Sequence, residues 1–287
     1  MSHLLCFGLG YSAGYLAKRL SAQGWTISCT ARTLDAADRV RALGYSPIDM
    51  QSSAASLRPA LSTVTHLLVS APPDSQGDPL LLRHATDVAA APHLTWIGYL
   101  STIGVYGDRN GNWVDETSAT APMSDRSRWR LDAETAWLAL GRSHRARVEI
   151  FRLPGIYGPG RSVIDNLRAG TARRLVKPGH VFNRVHVADI ANTLAAAITA
   201  TARHAIYNVT DDEPASSEDV LLYGAQLLGM APPPAIPVAS RDLSPMARSF
   251  YSECRRVSNQ RIKTALGVKL IYPTFRDGLR AIADASA

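Results

Sequence analysis

The stretch LLCFGLGYSAGYLAKRLSAQGWTISCTARTLD, residues 4–35, decides the fold. It opens with a short apolar run, Leu4 to Phe7, of the kind found in buried parallel strands. A turn of small residues in a GxGxx(A/G) spacing follows and leads into a helix: Gly8, Gly10, Ala13 and Gly14. A second strand, Trp25 to Thr30, comes after that helix. Strand, glycine turn, helix and strand in this order predict a dinucleotide-binding βαβ unit.

Each small residue of the turn has a predicted role. Gly8 permits the tight turn, Gly10 lets backbone N–H groups approach a pyrophosphate, and Ala13 or Gly14 lets the helix lie close to the strand. The diphosphate is expected at the positive N-terminus of the helix. The cofactor-binding residues predicted here are Gly8, Gly10, Tyr11, Ser12, Ala13 and Gly14.

The end of the second strand indicates which dinucleotide binds. In NAD-specific folds this position, about twenty residues past the glycines, carries an acid for the ribose 2′-OH. Here it holds Ala31, Arg32 and Thr33. A guanidinium suits a 2′-phosphate and a carboxylate repels one. We therefore predict NADP(H) in preference to NAD(H), bound by Arg32 and Thr33, with Asp35 as the residue that would reverse this preference.

Strands and helices continue to alternate after the first unit, which favours a parallel sheet with helices on both faces. Further strands are predicted at Thr65 to Ser70, Leu94 to Leu100 and Val148 to Arg152. One further helix is predicted at Leu80 to Ala90, and another after Pro122 that continues over Asp132 to Leu140. Open α/β sheets bind ligands at strand ends. Ala71, Pro72 and Pro154, which follow two of these strands, are therefore added to the predicted cofactor site.

These segments predict an α/β fold, a doubly wound parallel Rossmann sheet with a smaller C-terminal, substrate-facing lobe. The dinucleotide-binding domain is predicted over residues 1–160, with 184–212 returning to it. The smaller lobe is predicted over 161–183 and 213–287, because the regular alternation stops after Gly160 and three prolines stand at 232–234.

Composition excludes several classes of protein. The chain has 287 residues, 46% of them hydrophobic, which excludes disorder. It has no apolar run of eighteen residues and no signal-peptide pattern, so we expect a cytoplasmic protein without a membrane partner. The formal charge is +7, but the arginines are scattered, so no nucleic-acid partner is predicted. Cys6, Cys29 and Cys254 have no metal-ligand spacing, and no metal site is predicted.

The order of several segments resembles the extended short-chain dehydrogenase/reductase superfamily, the NAD-dependent epimerase/dehydratase group. The resemblance covers almost the whole chain. Its segments are the glycine turn, Ser101-Thr102 with Val105-Tyr106-Gly107, FRLPGIYGPGR at 151–161, RVHVAD at 184–189, Tyr207-Asn208-Val209, and residues 258–267.

The resemblance implies a Ser/Thr, a Tyr and a Lys that carry out the proton chemistry, the last two standing four residues apart on one helix. Thr102 matches the Ser/Thr. Aligning Ala133-Glu134 with the family's usual Ala-Glu places Arg126 at the tyrosine and Arg130 at the lysine. The usual Tyr-x-x-x-Lys pair is therefore missing.

This absence limits the chemistry. Arginine is always protonated, so Arg126 cannot exchange a proton as a tyrosine does. Arg130 is predicted to hold the cofactor ribose or a phosphate. If the chain turns over, another group must be the acid, and Tyr106 is the best placed by sequence, ahead of Tyr157 and His186. The alternative for Tyr106 is structural packing in its turn.

The substrate side gives a weaker signal. The resemblance implies an Arg-Asp pair that grips the diphosphate of a nucleotide sugar, but the equivalent residues here are Phe182 and Asn183. A nucleotide-sugar substrate is therefore not favoured. The residues predicted to bind a small, anionic substrate are Arg126, Arg161 and Arg184, with Arg255 as a further candidate and a solvated surface as the alternative.

Two hypotheses follow. The first is an NADP(H)-dependent oxidoreductase of the epimerase/dehydratase type, with Thr102, Tyr106 and Arg130 as its catalytic residues. The second is a catalytically silent NAD(P)-binding sensor or scaffold. By analogy with the family, we also expect a homodimer through the helices near 80–90 and 130–140.

Overall fold

The computed structural model describes residues 2–50, 57–143, 145–201, 205–239 and 250–285. It divides into two compact units. The first comprises Met1–Thr102, Ser124–Arg152 and Ile190–Tyr207, and the second Ile103–Met123, Leu153–Asp189 and Asn208–Ala287.

The first unit is built on a seven-stranded parallel sheet. Its strands are β1 His3–Phe7, β2 Thr26–Ala31, β3 Ser46–Asp49, β4 His66–Val69, β5 Trp96–Thr102, β7 Arg147–Leu153 and β11 Ile206–Asn208. They lie in the order β11-β7-β5-β4-β1-β2-β3, so the direction of winding reverses between β1 and β4. The predicted doubly wound α/β class is confirmed, and its ligand crevice is expected at this reversal.

The helices of this unit connect the strands. They are α1 Tyr11–Ser21, α2 Leu34–Ala42, α3 Arg58–Leu61, α4 Pro79–Ala89, α5 Asp125–Ser143 and α7 Val187–Thr199, of which the first three residues belong to the second unit. Apolar side chains of β1, β4 and β5 pack with Val88, Trp137 and Ile150 in one buried core. Burial on both faces explains why the strands read as continuous apolar runs.

The helix α5 begins at Asp125, so it includes the segment predicted at Asp132 to Leu140 and the positions 126 and 130 that the resemblance places on one helix. Its first turns are polar, so an apolar pattern did not reveal them. The side chain of Ser124 caps the N-terminus of the helix, because its hydroxyl oxygen accepts a hydrogen bond from the backbone N–H of Ser127 at 3.3 Å. Ser101 and Thr102, predicted to follow a strand, are the last two residues of β5.

The second unit contains three short parallel strand pairs and four complete α-helices among its described residues. The pairs are β6 Trp113–Val114 with β13 Arg256–Val257, β8 Gly155–Tyr157 with β10 Arg184–His186, and β9 Arg174–Val176 with β12 Ala235–Pro237. The helices are α6 Val163–Arg168, α8 Ser217–Leu227, α9 Gln260–Leu266 and α10 Phe275–Asp284. Its core includes Ile164, Val220, Phe275 and Leu279.

These units divide the chain at other positions than the predicted boundary at residue 160. Residues 103–123, 153–160, 184–189 and 208–212 lie in the second unit. Strand pairing accounts for much of this division, since β6 pairs with β13 and β8 pairs with β10. Residues 240–249 of the predicted smaller lobe lie outside the described residues.

A helix that spans a membrane must be both long and apolar. Over the described ranges, none combines the length and the apolar character that a membrane span requires.

Candidate functional site

The glycine turn lies between three neighbouring strands of the first unit. Gly8 follows β1 with a φ of +89°, a backbone conformation that favours glycine. Its N–H donates to Thr30 Oγ1 at 2.9 Å, and its carbonyl accepts from Ser70 Oγ at 2.7 Å. A Cβ at this position would come within 3.1 Å of Ser70 Oγ. The turn therefore has the tight geometry that its spacing predicted.

The N-terminus of α1 is open. Gly10 is its N-cap and provides no side-chain acceptor, and the first turn contains no acidic residue. A Cβ added at Gly10 would meet nothing within 4 Å. A helix N-terminus without a side-chain cap leaves backbone N–H donors and a positive dipole end facing this space. These features fit a diphosphate.

The packing of α1 decides between two predicted roles. Ala13 is fully buried, whereas a Cβ at Gly14 would meet no neighbouring element within 4 Å. Ala13 is thus the small residue on the buried face of the helix. Ser12 is also buried, and the ring of Tyr11 packs edge-on against Tyr15 with 5.4 Å between centroids.

The end of β2 presents a basic side chain. Arg32 is exposed, and within the described chain it has no acidic partner. Thr33 caps α2, because its Oγ1 accepts from the N–H of Ala36 at 3.2 Å. Asp35 is exposed in the first turn of α2. An exposed arginine without a carboxylate on the strand end fits a ribose 2′-phosphate.

The end of β4 lies beside the same turn. The N–H of Ala71 donates to the carbonyl of Phe7 at 3.2 Å, and Pro72 follows as an exposed residue. The structure therefore brings together the predicted residues of the glycine turn and of the β4 end at the point where the strand order reverses.

The predicted catalytic residues of the first unit lie on β5 and α5. Thr102 is half-buried at the end of β5. Arg130 is half-buried, and its Nη1 donates to the carbonyl of Leu100 at 2.5 Å. Arg126 stands one turn earlier on α5 and is exposed. The structure thus ties Arg130 to the strand that ends in Thr102.

Three buried polar side chains near Arg130 were not anticipated from the sequence. The guanidinium of Arg130 lies 5.9 Å from the ring centroid of Tyr99. Tyr99 Oη, Asp78 Oδ2 and Trp137 Nε1 are buried and make no well-formed hydrogen bond within the described residues. Burial raises the pKa of both Tyr99 and Asp78, although Trp137 opposes the shift of Asp78. The available signal was a tyrosine inside the apolar strand LTWIGYL.

Tyr106 lies in the second unit, in a short 3₁₀ helix over Ile103–Tyr106. It is fully buried, and its hydroxyl donates to Asn208 Oδ1 at 2.8 Å. The N–H of Asn208 in turn donates to Glu116 Oε1 at 2.7 Å. This placement corresponds to the packing alternative for Tyr106, while its catalytic role stays a prediction.

Two further aromatic candidates have structural contacts. His186 Nδ1 accepts from the N–H of Ala188 at 3.2 Å at the start of α7, and burial lowers its pKa to about 4. Its ring packs edge-on against Tyr157 at 5.2 Å between centroids. Burial raises the pKa of Tyr157. Neither group titrates near neutral pH.

The second unit contains a cavity of about 450 Å³. Arg161 and Arg184 both line it. Pro154, a predicted cofactor residue, is half-buried beside the start of β8. Asn183 instead holds a neighbouring segment, since its Nδ2 donates to the carbonyl of Arg255 at 3.0 Å and its Oδ1 accepts from the N–H of Val257 at 2.8 Å.

Comparisons place this geometry among known proteins. No family model matches the chain. A functionally unknown conserved protein from Silicibacter pomeroyi DSS has a solved structure that is 48% identical, with a TM-score of 0.92, over 100% of this chain and 99% of that one. The chain belongs to the same family as this protein.

More distant comparisons identify the fold. Protein YeeZ of Escherichia coli (strain K12) is 28% identical over 248 residues, 81% of this chain and 86% of that protein. The UDP-glucose 4-epimerase of Thermus thermophilus, solved in complex with NAD, is 19% identical with a TM-score of 0.75, over 99% of this chain and 98% of that one. The chain therefore shares the fold of this epimerase.

Proposed function

We propose that the chain is an NADP(H)-dependent oxidoreductase of the epimerase/dehydratase type with an atypical catalytic site. The observation that carries the proposal is the uncapped N-terminus of α1, with open space at Gly10 and an exposed Arg32 at the end of β2. The Thermus epimerase with the same fold was solved with NAD, which supports a nicotinamide dinucleotide.

The cofactor is assigned to the residues that fit it. The N–H groups of the first turn of α1 would hold the diphosphate, and Arg32 with Thr33 would hold the 2′-phosphate. When bound, the nicotinamide would supply or accept a hydride. The strand-end residues Ala71 and Pro72 would border the bound dinucleotide.

The proton chemistry differs from the usual relay of the superfamily. Arg130 cannot exchange a proton near neutral pH, but its permanent charge stabilises negative charge on a reacting oxygen. The hydroxyl of Thr102 can donate a hydrogen bond to such an oxygen. We propose these two roles, with water as the source of the proton, because the hydroxyl of Tyr106 is engaged by Asn208.

The first test is a titration with NADPH and with NADH, followed by nicotinamide fluorescence. We expect NADPH to bind at least tenfold more tightly than NADH, and Arg32→Ala to remove most of this difference, because a guanidinium–phosphate contact is lost. Arg19→Ala is the matched control, since it removes an exposed arginine at the other end of α1. Absence of binding by both nucleotides would refute the proposal.

A second candidate is a catalytically silent NAD(P)-binding sensor or scaffold. The buried, engaged hydroxyl of Tyr106 and the arginines at the Tyr and Lys positions favour it. Tight NADPH binding without oxidation by any of a panel of aldehydes, ketones and enoates would support this candidate. Oxidation of NADPH by the wild-type protein that is lost in both Thr102→Val and Arg130→Met would support the oxidoreductase instead.

The proposed partners are a small anionic molecule and a second copy of the chain in the cytoplasm. For the homodimer, the expected contact is formed by α4 and α5. Leu82 on α4 is 59% exposed. Light scattering of the purified protein measures its mass, and a Leu82→Glu variant that becomes monomeric would support this contact.

A further inference from the structure

The cavity of the second unit is lined by three arginines that come from different segments of the chain. Arg161 precedes α6, Arg173 precedes β9, and Arg184 begins β10. On the apolar side, the same cavity is lined by side chains of α8 and α10, namely Val220, Leu221, Phe275 and Leu279. It therefore has a cationic part and an apolar part.

Arg184 is held rigidly in this wall. Its Nη1 donates to the carbonyls of Phe182 at 3.0 Å and Ala215 at 2.8 Å, and its Nη2 donates to the carbonyl of Ser216 at 3.3 Å. A guanidinium has five N–H donors, so two remain after these contacts. Because neutral carbonyls hold the group in place, its orientation is set without cancelling its charge.

The positive charge of the cavity is not balanced from within. None of the lining residues, all of which are described, is acidic. Asp211 and Asp219 act on Arg184 electrostatically, but neither of them lines the cavity. Arg173 is exposed and pairs with no acidic side chain in the described part of the chain.

We infer that this cavity binds a small organic anion, with its carboxylate or phosphate on the arginines and an apolar body on the side chains of α8 and α10. Guanidinium groups beside an apolar floor, with no carboxylate in the cavity wall, favour such an amphipathic ligand. The inference rests on the proposed function only where the ligand is called a substrate, since binding itself requires residues of the second unit alone.

The test is isothermal titration of the full chain with 3-phenylpropionate, benzyl phosphate and the neutral 3-phenylpropionamide. We expect at least one anion to bind tenfold or more tightly than the amide, because only the anions pair with the guanidinium groups. Tighter binding of 3-phenylpropionate would indicate a carboxylate ligand, and tighter binding of benzyl phosphate would indicate a phosphate ligand.

Arg173→Gln is the principal variant, because Arg184 also holds three carbonyls and its removal threatens folding. We expect a fivefold or greater loss of anion affinity in Arg173→Gln. Arg280→Gln is the matched control, since it removes an exposed charge of the same unit outside the cavity, and its affinity should be unchanged.

Equal binding of amide and anion, or equal affinities of the two variants, would overturn the inference. The inference would also be overturned if neither anion bound at about 10 mM, which is ten times the concentration that half-saturates a site with a Kd of about 1 mM. A parallel NADPH titration separates this failure from that of the proposed function. NADPH binding without anion binding would leave the dinucleotide site intact and reject only the cavity ligand.

Discussion

The carboxylate of Glu134 joins three elements of the first unit. It accepts from Ser101 Oγ at 2.5 Å and from Arg152 Nη2 at 2.7 Å, and all three side chains are buried. It thus connects α5 to the ends of β5 and β7. A buried pair adds little stability compared with apolar packing, but loss of one partner strands a charge in the core.

We expect Glu134→Gln to destabilise the protein by about 3–5 kcal/mol, because the buried guanidinium of Arg152 would lose its ion pair with the Glu134 carboxylate. Urea unfolding followed by circular dichroism measures this change. The exposed pair of Asp125 and Arg128 on the same helix provides the control, and Asp125→Asn should cost about 0–1 kcal/mol. Equal losses in the two variants would contradict the role assigned to Glu134.

Tyr106 offers a second test at one side chain. We expect Tyr106→Phe to cost about 1–3 kcal/mol of stability, because Asn208 Oδ1 would lose its buried donor. Turnover of any accepted substrate should stay within a fewfold of the wild type. A hundredfold loss of turnover at unchanged stability would instead identify Tyr106 as the acid.

Helix α1 carries the cofactor proposal, and its N-terminus can be changed without disturbing its packing. We expect Gly10→Ala to change stability by no more than about 1 kcal/mol, since an added Cβ meets nothing within 4 Å and alanine is only a poorer N-cap. Dinucleotide affinity should fall tenfold or more, because the methyl group would occupy the proposed diphosphate space.

Fluorescence titration and thermal unfolding of the same sample separate these two effects. Ser21→Ala, at the exposed far end of α1, should leave the affinity unchanged. Unchanged NADPH affinity in Gly10→Ala would place the diphosphate elsewhere.

The pH dependence of folding depends on buried groups in both units. Burial lowers the pKa of His66 in the first unit and of His186 in the second to about 4. At a pH below about 6.5, the ordinary pKa of histidine, each side chain is expected to gain a proton when the protein unfolds. Their contribution to the free energy of unfolding is therefore complete above pH 6.5 and is lost as the pH falls towards 4. Glu149 acts in the opposite direction, because burial raises its pKa to about 7.

A comparison with one variant isolates a single histidine. Asparagine at position 186 keeps an acceptor for the N–H of Ala188 but cannot be protonated. We expect His186→Asn to lose less stability than the wild type between pH 6.5 and 4, by about 1.4 kcal/mol per pH unit. Parallel stability curves for the two proteins, from urea unfolding at each pH, would contradict the assigned pKa.

Local patterns in the chain predicted the fold and the tight glycine turn that follows β1. The glycine turn and the apolar strands depend on neighbouring residues, so their spacing alone indicated a βαβ unit and a doubly wound sheet. The absence of a tyrosine four residues before any lysine is likewise visible in the chain itself. The polar first turns of α5 had no apolar signal, and only the resemblance placed residues 126 and 130 on this helix.

The tertiary structure decided the partners of the polar side chains. It placed the hydroxyl of Tyr106 on Asn208, and it brought Arg173 and Arg184 into one cavity. The sequence by itself determined the type and order of the elements, because periodicity and turn chemistry act over a few residues. Burial and pairing of charges arise only when distant segments meet, so the folded chain alone determines which candidates are engaged and which carry uncompensated charge.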